Sequence, residues 1–311
     1  MTTSTPESSR PRTGASRRES LLIFIHVPKA AGTTFDRILF HQYPRRAVLR
    51  IGEGGSNPSI HELQDWSEQR RQAVRLVTGH IGFGIHELFP GPAKYLTFVR
   101  DPVERIISHY RHVLRTKDHY LHDEVTSRRM SLLDYACSGM TWELANGQTQ
   151  LLAGPYERFP APTRPYEEFV TPTQETLELA KRHIRESFVL AGVTERFDES
   201  LLLLQRMLGW RRIRYGRANV APKASGGEVV DGATVNIIRQ QNLLDVELNK
   251  VCLELLEERV ADAGSSFQRD LARFRKKNAV SAAILSGPRH LRREVARSPA
   301  RRWPTQLRRR H

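Results

Sequence analysis

A lysine at the start of a run of small residues is the first feature of the sequence that is typical of an anion-binding site. The apolar run 21–27 leads into Lys29, and small residues then continue into a helical pattern. Small residues between a strand and a helix let the backbone approach an anion, and the free N–H groups of the helix N-terminus point at it. The alternative is an ordinary strand-to-helix turn with a surface lysine. The predicted anion-binding residues are Lys29, Ala30, Ala31, Gly32, Thr33 and Thr34.

The position of Lys29 distinguishes this segment from a Walker A loop. A Walker A loop ends in Gly-Lys-Ser or Gly-Lys-Thr, whereas Lys29 precedes the small residues. A lysine at that place can reach the oxygen between a 5'-phosphate and a group being transferred, where negative charge develops as the bond breaks. We therefore predict that Lys29 stabilises a leaving group.

A second possible anion site is centred on Arg100, which follows the apolar run 95–99. A proline two residues later is typical of the first turn of a helix, and Ser108 lies two turns along that helix. A guanidinium group suits a terminal phosphate because it offers two parallel hydrogen bonds. The Ser108 hydroxyl can contact the same phosphate. The alternative is that Arg100 pairs with Asp101 or Glu104.

The order of apolar runs and helical patterns predicts an α/β fold around these residues. Continuous apolar runs bounded by turn residues are typical of strands buried on both faces of a parallel sheet. We predict a doubly wound parallel sheet with a P-loop-like strand-loop-helix and a helical C-terminal half, with ligands beyond the carboxyl ends of the strands. The predicted strands are 21–27, 74–78, 95–99 and 188–193, and the predicted helices include 33–42, 102–115, one that starts after Ser59 and one with an apolar stripe from Leu244 to Val260.

Both anion-binding segments resemble those of a known enzyme family. Residues 27–34, Val-Pro-Lys-Ala-Ala-Gly-Thr-Thr, resemble the 5'-phosphosulfate loop of sulfotransferases that use 3'-phosphoadenosine 5'-phosphosulfate (PAPS), especially the family of the heparan sulfate 2-O-sulfotransferases and related bacterial enzymes. Residues 99–105 with Ser108 resemble the family's 3'-phosphate motif, including the spacing from Arg100. Ala30 stands where the family usually has threonine. The resemblance implies a sulfotransferase that uses PAPS as co-substrate and needs no metal.

The resemblance continues more weakly over roughly residues 21–262. The segment 146–154 is similar to a Gln- and Leu-rich segment of the family, and 188–195 is similar to its late strand. The loop 211–232 lies where relatives close a basic loop over the donor. Its candidate donor ligands are Arg214, Arg217, Asn219 and Lys223.

The resemblance also implies a histidine base after the strand 74–78. Residues 79–83, Gly-His-Ile-Gly-Phe, are similar to the family segment that contains the catalytic histidine, which makes His80 the predicted base. A base is needed because an acceptor hydroxyl must lose its proton as it attacks sulfur, and an imidazole titrates near neutral pH. The other candidates are His26, Glu53, Glu87, His86, His109 and His112.

The acceptor is implied by the resemblance alone, which favours a hydroxyl of a carbohydrate or glycoconjugate. Acceptor contacts are expected from the loops 43–58, 117–130 and 154–170. Two rival functions remain open. One is a P-loop-type nucleotide kinase, which needs a magnesium-binding serine or threonine directly after its lysine. The other is a non-catalytic polyanion-binding protein that acts through a basic tail.

The formal net charge of +15 lies mostly in the two ends of the chain. Residues 275–311 contain twelve Lys or Arg and a single acid, and residues 1–20 contain four Arg and two Glu. The rest of the chain is therefore close to neutral. We predict a disordered segment 1–20, a sulfotransferase domain 21–275 and a flexible basic tail 276–311 that contributes only weak contact with anionic surfaces. No specific nucleic acid partner is expected.

The cysteine content and the apolar runs bear on location. Two cysteines, Cys137 and Cys252, are too few for a disulfide framework and have no metal-ligand pairing. The apolar run 21–27 is short and contains a histidine, so a buried strand explains it better than a signal peptide. No run in the sequence is long enough to span a bilayer. We expect a cytoplasmic protein without a transmembrane segment.

Overall fold

The computed structural model describes residues 20–52, 57–156, 171–216 and 230–286, with backbone alone for 280–286. These residues form a parallel sheet of five strands in the order β2-β3-β1-β4-β5, flanked by helices. The predicted α/β class is thereby confirmed. The strands are β1 (Leu21–Ile25), β2 (Val48–Ile51), β3 (Leu76–Gly79), β4 (Ala93–Val99) and β5 (Phe188–Val193).

Strand β1 lies in the middle of the sheet because its side chains are apolar on both faces. All five of its residues are buried, as expected for a strand covered on both sides. It pairs with β3 on one side, where Ile25 lies opposite Gly79, and with β4 on the other, where Ile25 lies opposite Thr97. The carboxyl ends of these three strands therefore lie side by side.

The sequence-based assignment missed β2 and placed it in the loop 43–58. The strand has only four residues, and they alternate in burial: Leu49 and Ile51 are buried, whereas Arg50 is exposed. This alternation is typical of an edge strand, and β2 pairs only with β3 in this sheet. The predicted strand 74–78 is also shifted, since β3 begins at Leu76.

The helices that carry the candidate residues start where their sequences provide caps. Asp101 accepts a hydrogen bond from the Glu104 amide at the start of α4, with Pro102 in the first turn. Ser59 and Glu62 form the predicted capping box of α2. The helices are α1 (Gly32–Gln42), α2 (Ile60–Gln64), α3 (Glu68–Gln72), α4 (Pro102–Arg115), α5 (His122–Ser127), α6 (Leu132–Cys137), α7 (Gly147–Ala153), α8 (Gln174–Ser187), α9 (Phe197–Leu208), α10 (Gly232–Gln241), α11 (Leu243–Asp262) and α12 (Ser266–Ser286).

The last described helix extends past the predicted C-terminal boundary of the domain. Helix α12 continues through Ser286, so the boundary predicted at residue 275 falls inside a helix. Asn278 is buried and its side-chain oxygen accepts a hydrogen bond from the Tyr215 amide. This contact attaches residues just beyond 275 to the domain. The remaining tail, 287–311, and the segment 1–19 lie outside the described residues.

Within the described ranges, none of the helices combines the length and the apolar character needed to cross a membrane.

Candidate active site

The candidate residues come together because three neighbouring strands end at the same edge of the sheet. His26 follows β1, His80 follows β3 and Arg100 follows β4. A cleft of about 600 Å³ opens next to this edge. Its lining residues are His26, Lys29, Ala31, Gly32, Thr33, Thr34, Arg100, Glu104, Ile107, Ser108, Arg111, Arg115, Thr194, Glu195, Phe197 and Tyr215.

The loop between β1 and α1 has an unusual backbone. Lys29 and Ala31 have positive φ angles of 66° and 64°, a left-handed conformation that costs free energy in residues other than glycine. No side chain caps the N-terminus of α1, and its first residues line the cleft. N–H groups of a helix's first turn have no partner within the helix. The arrangement suits an anion at this end of the cleft.

Not all of the predicted loop residues face the cleft. Lys29, Ala31, Gly32, Thr33 and Thr34 line it, whereas Ala30 is completely buried and is absent from the lining. The small side chain of Ala30 therefore serves packing beneath the loop, and we do not count it among the groups that can reach a ligand.

Lys29 is half-buried and its charge is disfavoured. Burial, followed by the positive charge of Arg115, lowers the pKa of its ammonium group to about 8. Glu143 acts in the opposite direction, and Arg100 adds a further lowering effect. An ammonium group in this environment favours a neighbouring anion strongly, because the anion compensates both the burial and the nearby guanidinium groups.

Arg100 connects the two loops that were predicted to bind anions. Its Nη1 donates to the Lys29 carbonyl oxygen at 3.3 Å, and its Nη2 donates to the Glu104 carboxylate at 3.1 Å. The ion pair with Glu104 is thus present, as the alternative interpretation of Arg100 required. The Nε atom of Arg100 is buried and makes no hydrogen bond within the described residues, although the Glu195 carboxylate lies 3.9 Å from it. Ser108 is half-buried in α4 and lines the same cleft.

His80 lies directly behind the loop and is held in one tautomer. Its Nδ1 is 2.7 Å from the His26 carbonyl oxygen. A carbonyl oxygen only accepts hydrogen bonds, so Nδ1 carries the proton and Nε2 is the free acceptor of the neutral ring. Burial, and then the nearby His26 imidazole, lower the pKa of His80 to about 4. The residue is half-buried and packs against the cleft-lining His26, but it is not itself part of the lining.

His26 supports the loop from below. Its ring lies 4.5 Å from the His80 ring, measured between centroids, and its Nδ1 is 3.4 Å from the Asp36 carboxylate. A Cβ atom on Gly32 would lie 2.0 Å from the His26 atoms Cδ2 and Nε2. The first turn of α1 can rest on this ring only because residue 32 is glycine.

Asp36 is the buried carboxylate that orients His26. The Thr78 hydroxyl donates to its second oxygen at 2.7 Å. Burial acts to raise the pKa of Asp36, but the contacts with His26 and Thr78 lower it overall. An ionised carboxylate at this place fixes the proton of His26 on Nδ1.

Sequence analysis missed Glu143, which lies near both predicted catalytic residues. Its Oε2 is 2.6 Å from His109 Nε2. Burial of the carboxyl acts to raise its pKa, but the His109 imidazole, and further away His80 and Arg105, lower it to about 2. The group is therefore an ionised carboxylate among imidazoles. Its charge favours a positive charge on Lys29 and on His80.

Comparison with known proteins shows which family the chain belongs to. The sequence profile described as "Sulfotransferase family" matches residues 16–190, which is more than half of the chain. The chain belongs to the sulfotransferase family. The matched region contains the loop after β1, the strand end at Arg100 and most of the cleft.

Several characterised sulfotransferases are similar to this chain at low identity. Heparan sulfate 2-O-sulfotransferase 1 of Xenopus laevis is 32% identical over 111 residues, which cover 32% of this chain and 31% of the relative. Heparan-sulfate 6-O-sulfotransferase 1 of Cricetulus griseus is 24% identical over 279 residues, which cover 78% of this chain and 68% of the relative. Galactose-3-O-sulfotransferase 3 of Bos taurus is 25% identical over 259 residues, with 78% and 58% covered. The chain thus spans between about a third and two thirds of the length of these relatives.

Apart from His26, the other candidate bases among the described residues are outside the cleft lining. Glu87 is exposed, His86 is 2.7 Å from the Tyr95 hydroxyl, and His109 is buried against Glu143. His112 is half-buried on α4, and burial lowers its pKa to about 4, with a further contribution from the charge of Lys29. The remaining candidate base, Glu53, lies outside the described residues. So do the candidate donor ligands Arg217, Asn219 and Lys223.

Other residues that line the cleft were not predicted, although some had a signal in the sequence. Glu104, Arg111 and Arg115 follow the predicted Ser108 at helical spacings of three and four residues, which places all four on one face of α4. Thr194, Glu195, Phe197 and Tyr215 had no comparable spacing signal, because they reach the cleft through the position of β5 and the loop after α9. In the part of the chain that the structure describes, no group of three or more His, Cys, Asp or Glu side chains is arranged to hold a metal ion.

Proposed function

We propose that the protein transfers a sulfuryl group from PAPS to a hydroxyl group of a carbohydrate. The observation that supports this most is that Lys29 and Arg100, from two different strand ends, line a single cleft with the uncapped first turn of α1. An anion pair separated by a nucleoside needs two such sites. Membership in the sulfotransferase family supports the reaction type.

The residues of the cleft fit the two charged ends of the donor. The 5'-phosphosulfate would lie at Lys29 and the first turn of α1, where N–H groups and an ammonium group are available. The 3'-phosphate would lie at Arg100 and Ser108. The Nε group of Arg100 supports this, because it is buried and makes no hydrogen bond within the described residues, which is costly unless a ligand accepts from it. The Glu195 carboxylate pairs with it only at 3.9 Å, too far for a hydrogen bond.

The proposed chemistry is a displacement at sulfur. His80 Nε2 takes the proton of the acceptor hydroxyl while the hydroxyl oxygen forms its bond to sulfur. The bond between sulfur and the oxygen of the 5'-phosphate breaks, and that oxygen keeps the electron pair. Lys29 stabilises the charge that develops there. Glu143 stabilises the positive charge that His80 acquires, because the two groups lie close enough for the carboxylate to raise the pKa of His80.

A carbohydrate acceptor is supported by the names of the relatives, which are sulfotransferases of heparan sulfate and of galactose. The acceptor must approach sulfur from the side opposite the leaving phosphate. The half-buried histidines of the segment 112–119 lie near Lys29, since its charge contributes to lowering the pKa of His112 and His119. Neutral imidazoles can bond to sugar hydroxyls, so this segment is the proposed acceptor wall.

The donor assignment predicts strong discrimination between two nucleotides. Adenosine 3',5'-bisphosphate (PAP) should bind far better than adenosine 5'-monophosphate (AMP), because only PAP has the 3'-phosphate for Arg100 and Ser108. Arg100→Ala should weaken PAP binding by about 1.5–3 kcal/mol, the usual value of a hydrogen bond to a charged group. AMP binding should change little. Isothermal titration calorimetry measures both dissociation constants.

Arg37→Ala is the matched control for that experiment. Arg37 is exposed on α1 and does not line the cleft. Because it is also an arginine, its replacement by alanine changes the net charge by the same amount as Arg100→Ala. PAP binding should be retained in this variant. Equal affinity of the unmodified protein for PAP and AMP would refute the assignment of the 3'-phosphate site.

The two rival functions are less well supported. A kinase needs a hydroxyl residue directly after the loop lysine, and Lys29 is followed here by the buried Ala30. A polyanion-binding protein would depend on its basic tail, whereas the cleft residues Lys29 and Arg100 belong to the domain itself. Location in a reducing, cytoplasmic compartment stays a prediction, supported by the two free thiols Cys137 and Cys252.

Deletion of residues 287–311 separates the enzyme from the polyanion-binding protein. The deletion ends the chain just after α12, so the helix and its contact at Asn278 stay intact. We expect unchanged PAP affinity and a loss of salt-sensitive attraction to an anionic polysaccharide. Loss of PAP binding on deletion would instead support the tail as the ligand-binding element.

A further inference from the structure

A buried glutamine bonds to both backbone polar groups of Arg100, its N–H and its carbonyl oxygen. The Gln148 side chain is completely buried on α7. Its Oε1 accepts from the Arg100 N–H at 2.9 Å, and its Nε2 donates to the Arg100 carbonyl oxygen, also at 2.9 Å. Both ends of one side-chain amide are thus used on a single residue 48 positions away in sequence.

Arg100 needs such a partner because it lies beyond the end of the sheet. The pairing of β4 with β5 ends at Val99, and the pairing with β1 ends at Thr97. Buried backbone groups are costly without hydrogen bonds. The Gln148 amide supplies one donor and one acceptor, as a neighbouring strand would. The backbone direction of Arg100, and hence the start of its side chain, is set by this contact.

Gln148 is itself held by a buried charged network. Asp245 on α11 accepts hydrogen bonds from the Gln148 and Thr149 amides at 3.2 and 2.8 Å and from the Thr149 hydroxyl at 2.8 Å. The buried guanidinium group of Arg105 lies 3.6 Å from Asp245. The first turn of α7 is therefore fixed in place, so that Gln148 acts as a rigid support.

We propose that Gln148 is a positioning residue for binding of the 3'-phosphate of the donor. It touches no ligand and acts by fixing the backbone of Arg100, so that the guanidinium group points into the cleft. The inference rests on the proposed function, since it takes Arg100 as the 3'-phosphate ligand. A purely structural glutamine would affect stability but would not distinguish nucleotides that differ only in the 3'-phosphate.

Two glutamines on the same helix allow a matched test. Gln148→Met removes both hydrogen bonds to Arg100 with little change in volume. Gln150→Met is the control: Gln150 is also buried on α7, but its Nε2 donates to the Ala145 carbonyl oxygen at 2.9 Å and not to Arg100. PAP and AMP dissociation constants are measured by calorimetry for each variant of the full chain, and folding is checked by circular dichroism.

Gln148→Met should weaken PAP binding by about tenfold, the size of one impaired charge-assisted contact, with AMP binding nearly unchanged. Gln150→Met should keep the ratio of the two constants seen in the unmodified protein. In the double variant Arg100→Ala, Gln148→Met, PAP should bind no more weakly than to Arg100→Ala alone, because Gln148 acts through Arg100.

Gln148→Asn provides a second variant if the methionine disrupts folding. It keeps a buried amide but is one methylene shorter, so it cannot bond the N–H and the carbonyl oxygen of Arg100 together, and selective loss of PAP affinity is again expected. Unchanged discrimination between PAP and AMP in folded Gln148 variants would overturn this inference alone. An unmodified protein that binds PAP no better than AMP would overturn the proposed donor site and the inference together.

Discussion

His80→Ala is expected to lower kcat by roughly two to four orders of magnitude, the usual contribution of a general base, while leaving PAP affinity nearly intact. The imidazole carries its proton on Nδ1, which faces the His26 carbonyl oxygen, so that Nε2 is free to accept a proton. Its pKa of about 4 keeps the ring neutral at ordinary pH. Transfer of radiolabelled sulfate from PAPS to a polysaccharide acceptor measures kcat, and calorimetry measures PAP binding.

His86→Ala and His26→Ala are the comparison variants. His86 is a half-buried histidine that bonds to Tyr95 and does not line the cleft, so kcat should be retained. His26 supports Gly32 and the phosphate loop, so its loss should weaken PAP binding. If His80→Ala turns over normally and His26→Ala binds PAP normally but turns over slowly, the base is His26.

Lys29→Ala is expected to lower kcat at saturating donor by about 10²–10³-fold, the usual cost of removing one group that stabilises developing negative charge. The reason is that Lys29 approaches the leaving phosphate oxygen in the proposed complex, where charge is greater in the transition state than in the ground state. PAP binding should weaken less than kcat. Normal turnover of Lys29→Ala at saturating PAPS would show that the leaving group is stabilised by other residues.

The pH dependence provides an independent test of Lys29. The ammonium form is the active one, and its pKa in the free protein is about 8. The kcat/KM for PAPS should therefore be constant between about pH 4, below which His80 becomes protonated, and about pH 8, and it should fall as the pH rises through this upper value. Bound donor is anionic and raises the pKa of Lys29, so the decline in kcat should occur at higher pH. Lys29→Arg should remove the decline in kcat/KM, because a guanidinium group stays charged. An unchanged alkaline decline in that variant would assign it to another group.

Sequence patterns were sufficient to predict those structural features that depend only on neighbouring residues along the chain. The strand-loop-helix at Lys29, the proline that starts α4, and the position of Ser108 two turns along α4 each follow from ten or so consecutive residues. Local patterns also indicated that β1 and β4 are buried strands. The short edge strand β2 was missed because four alternating residues give a weak signal, and the boundary at 275 was wrong because a basic segment can still continue a helix.

Contacts between distant segments were decided only by the tertiary structure. Nothing near Glu143 in the sequence places it beside His109, and nothing near Gln148 indicates that its amide holds Arg100. Such contacts depend on strand order and on how helices pack on the sheet, and a sequence pattern contains neither. The sequence by itself predicted which residues bind anions and accept a proton, because those roles depend on residue type and local order along the chain. The fold decided that β3, β1 and β4 end side by side, and this adjacency brings His80, Lys29 and Arg100 to one edge of the sheet.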